Sequence, residues 1–181
     1  MYDSEQFNGF VKNELDDLLF SDIWGYYVFN ESDLHSSAYY YIRTYFQKRG
    51  SDNIYVRCEP NMYGKKPDIV IYDRGRPLYV LELKMFVDQE RVDEAKIDKD
   101  IEKLNDFLSK IEKIKWGFFI FVYDSDYDFG ISDPRLRRLG LENISVISLN
   151  MRRMEKTGRK RTRYDEWRKE FDRLRKYHNQ W

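Results

Sequence analysis

A single cysteine, Cys58, excludes an intrachain disulfide and any zinc site built on cysteine pairs. Its setting in a strand-like segment favours a buried structural thiol over a nucleophile. The two histidines, His35 and His178, stand too far apart in the chain to suggest a serine–histidine or histidine–zinc site. No glycine-rich phosphate loop of P-loop or dinucleotide type occurs, and there are no internal repeats or low-complexity tracts. No apolar run reaches the ~18 residues of a membrane-spanning helix. The opening Met1-Tyr2-Asp3-Ser4-Glu5 has no signal-peptide pattern, so a cytoplasmic protein is expected, in a host cytoplasm if it is viral or plasmid-borne.

Net charge is also lacking, but only in sum. Of 32 basic and 32 acidic residues, the last 31 positions hold 12 and 5 (net +7), so the first 150 hold the other 20 and 27 (net −7). A basic arm on an acidic body is the pattern of a nucleic-acid partner. Aromatics are abundant, at 17% of 181 residues, enough for one well-packed domain over 1–150 with a basic connector and helix over 151–181 resting on it.

Periodicity orders the elements. Residues 4–20 carry Phe7, Phe10, Val11, Leu15, Leu18 and Leu19 on one helical side. A second helix over Glu31–Gln47, capped by Asn30 or Ser32, has Leu34, Ala38, Tyr41, Ile42 and Tyr45 as its stripe. Ile54–Glu59 reads as a strand, and Asn61–Lys66 as a loop. Glu90–Lys113 is a long amphipathic helix, with Lys96, Asp100 and Lys103 on one polar stripe. Trp116–Tyr123 is a strand buried on both faces. The acids of Asp124-Ser125-Asp126-Tyr127-Asp128 are not an EF-hand loop, since Arg135 stands where that loop needs a glutamate, and read as a solvated loop. Asp133-Pro134 opens a short helix, and Asn143–Asn150 is a last strand. At the C-terminus Tyr164, Trp167, Phe171, Leu174, His178 and Trp181 follow 3, 4, 3, 4, 3 spacing, a stripe that must bury against the body or a second copy.

The chemistry concentrates in one hairpin. Lys66-Pro67-Asp68-Ile69-Val70-Ile71-Tyr72 and Leu78-Tyr79-Val80-Leu81-Glu82-Leu83-Lys84 flank a polar break at Asp73–Arg76. Alternation puts Glu82 and Lys84 on one face, Leu81 and Leu83 on the other. A turn near Arg74-Gly75 sets Asp68 opposite or diagonal to Glu82. Two carboxylates and an ammonium then meet at the hairpin mouth. Two carboxylates that close repel unless a cation intervenes, and Mg²⁺ favours such oxygen ligands.

Pro67-Asp68, thirteen intervening residues and Glu82-Leu83-Lys84 resemble the signature of the PD-(D/E)xK nuclease superfamily. The resemblance spans about Glu31–Tyr123. It implies an α/β (α+β), restriction-endonuclease-like αβββαβ core with a mixed sheet flanked by helices. It further implies a Mg²⁺ site, with Mn²⁺ able to substitute, on Asp68, Glu82 and the Leu83 carbonyl, with Lys84 as the catalytic lysine and a helical glutamate, best matched by Glu31. Lys96 or Lys103 is the candidate basic residue of the following helix. Lys65, Lys66, Arg159, Lys160, Arg161 and Arg163 are candidate phosphate contacts. The expected activity is metal-dependent cleavage of DNA, with a homodimer possible through the C-terminal stripe. The alternatives are a non-catalytic nucleic-acid-binding module of the same fold and an interaction protein whose aromatic stripe serves a partner.

Overall fold

Phe7, Val11, Leu15, Leu19 and Ile23 recur every four residues, and all five are fully buried. A strict period of four drifts round an α-helix by about 40° per step. The chain corrects this drift: α1 (Ser4–Phe10) runs into a π-helical turn (Val11–Leu15) and on into α2 (Asp16–Trp24). The wider turn keeps the stripe facing the core. The structure, a computed structural model, describes residues 4–87, 92–125, 143–152 and 161–178, the last helix with its side chains from Tyr164 on.

α3 (Glu31–Lys48) starts at Asn30, whose side chain accepts from the Asp33 N–H at 3.0 Å, while the Asp33 carboxylate accepts from Phe29 N–H at 3.0 Å. This reciprocal cap fixes where the helix begins and so places Glu31 in its first turn. Five strands follow: β1 (Ile54–Cys58), β2 (Ile69–Asp73), β3 (Arg76–Phe86), β4 (Trp116–Tyr123) and β5 (Ile144–Asn150), in spatial order 1-2-3-4-5. β1, β2 and β3 pair antiparallel; β3–β4 and β4–β5 pair parallel. Arg74 and Gly75 both have positive φ, 48° and 82°, the two-residue turn expected between twisted strands. The crossover from β3 to β4 contains α4 (Glu94–Lys110).

The result is a mixed α/β protein: one five-stranded mixed sheet with helices on both faces. Phe118, Ile120 and Val122 of β4 enter a core shared with α1–α3, while Phe119, Phe121 and Tyr123 enter a second core shared with α4. Such two-sided burial explains the unbroken apolar run of β4.

The C-terminal helix α5 (Arg161–His178) lies on the first of these cores. Tyr164, Trp167 and Phe171 are buried there. Trp167 packs with its ring tilted 32° to that of Trp24, centroids 4.4 Å apart, and donates its indole N–H to the Trp24 carbonyl at 3.2 Å. The Tyr164, Trp167 and Phe171 part of the stripe is therefore covered by its own chain. Asp124, expected in a solvated loop, is the anchor of the docking. It accepts from Tyr164 Oη at 2.5 Å, Arg168 Nη1 at 2.5 Å and Arg152 Nε at 2.7 Å. Cys58 also departs from expectation. It lies exposed at the end of edge strand β1. The expected helix at Asp133-Pro134 and the acids Asp126 and Asp128 lie outside the described residues. Among the described residues no helix is long and apolar enough to cross a membrane.

Candidate active site

β3 outruns its neighbour. The β2–β3 register ends at Ile69↔Leu81, and beyond it the backbone N–H groups of β3 facing β2 have no strand to bond. Buried backbone donors need partners, and carboxylates supply them. Asp68 Oδ2 accepts from Leu83 N–H at 2.6 Å, and Glu31 Oε2 from Met85 N–H at 3.4 Å. A strand residue's N–H and C=O leave on the same side, so the Leu83 carbonyl opens toward Asp68 as well.

Side chains from four elements converge on this edge. Lys84 Nζ lies 2.9 Å from Glu31 Oε1, joining β3 to α3. One turn along α3, His35 Nε2 lies 3.4 Å from Asp68 Oδ2. Glu82 lies on the same strand face as Lys84, under α4, where Lys103 Nζ sits 2.7 Å from its Oε2. Its Oε1 is buried and has no hydrogen-bond partner. Asp100, one turn before Lys103 on α4, feels the charges of Lys84, Lys103, Asp68 and Glu31.

Glu82 is the unusual group. It is 2% exposed in a strand whose neighbouring buried positions are apolar. Leaving a buried acceptor unpaired costs about 1–3 kcal/mol. Burial and then the negative charge of Asp68 push its carboxyl up to about 8, against the opposing pull of Lys103. Asp100 is also raised, by burial first, with Lys84 and Lys103 opposing. Burial works against the charge on Lys84, but the Glu31 hydrogen bond and the charges of Glu31, Asp100 and Asp68 outweigh it, and its pKa is raised. The same balance raises His35: burial opposes its charge, while Asp68, Glu31 and the Leu83 carbonyl favour it. The cluster thus sets four carboxylates against two ammonium groups and one imidazole.

This donor set suits a hard divalent cation. Mg²⁺ is held by one or two carboxylates with water and substrate phosphate completing its shell. Asp68, Glu82 and the Leu83 carbonyl offer that number of oxygens, and the unpaired Glu82 Oε1 is a free ligand position. Among the described residues no three histidine, cysteine or carboxylate side chains are grouped so as to hold a metal ion by themselves.

Of the residues singled out in the sequence, Glu31, Asp68, Glu82, Leu83, Lys84 and Lys103 come together. Lys96 does not: it turns to Asp93 at 3.4 Å, beside the helix start. Lys65 is tied to Asp106 of α4 at 2.8 Å, and Lys66 is exposed beside it. Arg159 and Lys160 lie outside the described residues, as do the side chains of Arg161 and Arg163. His35 and Asp100 join the cluster as well. Their signals were positional: His35 follows Glu31 by four residues, and Asp100 precedes Lys103 by three, spacings that share a helix face.

Comparison with protein-family models, with curated proteins and with solved structures returns no match for the chain.

Proposed function

We propose that this chain is a Mg²⁺-dependent nuclease of the PD-(D/E)xK type that hydrolyses phosphodiester bonds in DNA. The observation that carries the reading is the meeting of Asp68 and Glu82 at one strand end, with Lys84 beside them and one Glu82 oxygen buried without a partner. No packing requirement puts a glutamate there, whereas a cation between the two carboxylates removes both their repulsion and the unpaired oxygen.

In this reading Asp68, Glu82 and the Leu83 carbonyl hold the ion, with Glu31 placing Lys84. Mg²⁺ would supply activation of the attacking water and charge stabilisation on the phosphate. Lys84 does the rest as a cation. Its raised pKa keeps it protonated at neutral pH, so it donates to the attacked phosphate oxygen and does not act as a base. His35, drawn toward its charged form by Asp68, stands next to the ion's ligands as a second proton donor. The water attacks directly and no covalent enzyme intermediate forms. DNA as substrate is supported by the net +7 of residues 151–181, whose sequence-independent contacts would hold the phosphate backbone.

One observation favours a second reading. Lys103 already neutralises Glu82 Oε2, as it would in a nucleic-acid-binding module that has no metal and cuts nothing. Labelled DNA and RNA duplexes, single strands and branched forms, incubated with Mg²⁺ or Mn²⁺, separate the two. The nuclease reading expects metal-dependent products that vanish in EDTA; salt-sensitive binding with no product under either metal supports the binding module instead.

A further inference from the structure

The sheet face that carries Asp68 and Glu82 is only partly covered. α4 packs over β3, β4 and β5, and Met62 is buried with Val70 of β2, which leaves the Tyr55–Tyr72 end of the β1–β2 side partly exposed among the described residues. Three side chains occupy it. Tyr55 of β1 stands opposite Tyr72 of β2, and their rings stack at 5.2 Å with 7° between planes. The Arg57 guanidinium lies 5.6 Å from the first ring centroid and 5.9 Å from the second. Tyr55 is 39% exposed, and Arg57 is exposed.

Alternation fixes the face. Val70 and Tyr72 belong to the α4-side core, so Asp68, two residues earlier on the same ladder, shares their side. From Tyr72 to Asp68 is four residues, about 13 Å of strand, the length of roughly four stacked nucleotides. An aromatic surface with a cation thus shares a strand face with the carboxylate pair, with the buried Val70 between them.

We infer that Tyr55, Tyr72 and Arg57 form a platform for an unpaired polynucleotide strand, with bases stacked on the tyrosines and a phosphate held by Arg57. The chemistry matches that ligand. Aromatic faces accept any base, and a guanidinium pairs with phosphate. A duplex hides its base faces and gains nothing from stacked tyrosines. The inference rests on the nuclease reading only for what happens at the far end of the track; binding does not require it. It assigns the substrate class as single-stranded or locally opened.

Fluorescence anisotropy of the full chain in EDTA tests this with labelled oligo-dT and oligo-U of about twelve nucleotides and a duplex of the same length. Oligo-dT is expected to bind more tightly than the duplex. Tyr55→Ala and Arg57→Gln are expected to weaken single-strand binding about ten-fold or more, and Tyr55→Phe, which keeps the ring, to stay within about two-fold of the parent. A cross-strand pair that only stabilises the hairpin would lower the melting temperature and leave affinity unchanged. Both replaced side chains are exposed, so the core stays intact, and a thermal melt checks it. Loss in both the oligo-dT and oligo-U arms supports a strand track indifferent to the sugar; loss in one arm supports a track for that polymer. Oligonucleotide affinity unaltered by Tyr55→Ala and Arg57→Gln, or a duplex bound as tightly as the single strand, overturns the inference. Since EDTA suppresses hydrolysis, single strands held through Tyr55 yet uncut with any metal would remove the nuclease reading and leave the platform. Cleavage indifferent to Tyr55 would do the reverse.

Discussion

Glu82 concentrates the account's physics in one side chain. Its pKa near 8 in the fold, against 4.5 ordinarily, means that the folded protein binds more protons than the unfolded one between those pH values. Its contribution to stability is therefore fully present below about pH 4.5 and lost as pH rises through 8. Asp100, raised by burial, acts in the same direction. So does His35, raised despite its burial, whose contribution is present below 6.5 and lost as pH climbs past its folded value. Thermal melts in EDTA should show the melting temperature falling between about pH 5 and 8.5, with Glu82→Gln flattening the slope. A temperature that rises over that range contradicts the assignment. Asp68 calls for a different probe. Its carboxylate holds the Leu83 N–H, so Asp68→Ala leaves a backbone donor unpaired, at about 1–3 kcal/mol. Asp68→Asn keeps an acceptor there and removes the charge. It is expected to fold with near-parental stability and to lose about a hundred-fold or more in cleavage rate.

At the scale of elements, α5 is held by shape and by two acids, Asp124 and, at its far end, Asp33, which lies 3.2 Å from His178 Nε2. Trp167→Ala or Phe171→Ala should cost about 3–5 kcal/mol, as for large aromatic truncations in a core, read by chemical denaturation. A value below about 1 kcal/mol would mean that the helix is not docked. Asp124→Ala strips the acceptor from the buried Tyr164 hydroxyl while Arg168 keeps Asp172 and the Val87 carbonyl, and should cost about 1–3 kcal/mol. Much of this level was legible beforehand. The 3.6-residue stripes gave the helices, the aromatic run gave β4, and Arg74-Gly75 gave the hairpin turn, because each signal lies within one element. The role of Asp124 was not legible, since it depends on where a helix 40 residues later comes to rest. Cys58 misled for a related reason. A strand reads as buried from its composition, but whether it lies at an edge depends on the order of the whole sheet.

For the molecule as a whole, the candidate site is a product of topology. The approach of Asp68 to Glu82 needs only a hairpin and can be read from alternation. Glu31, His35, Asp100 and Lys103 arrive because α3 and α4 lie on opposite faces of the sheet and both reach the end where β3 outruns β2. Helical spacing shows that Glu31 and His35 share a face; it does not show which strand end that face meets. The charge asymmetry makes its own prediction at this scale. DNA affinity should fall steeply and linearly on a logarithmic salt axis, and replacing Arg159, Lys160, Arg161 and Arg163 together by Gln should flatten that slope if the basic arm supplies phosphate contacts. A slope unchanged by these replacements would place the contacts elsewhere.

The central claim is the proposal that Asp68 and Glu82 bind a divalent cation. Calorimetric titration with Mg²⁺ or Mn²⁺ at pH 7, repeated in buffers of different ionisation enthalpy, tests it most directly. Glu82 holds its proton up to about pH 8, so an ion that takes its place must release it. The account predicts saturable binding to the parent chain with nearly one proton released per ion, and binding lost in Asp68→Asn and Glu82→Gln. No binding, or equal binding by both variants, would contradict it.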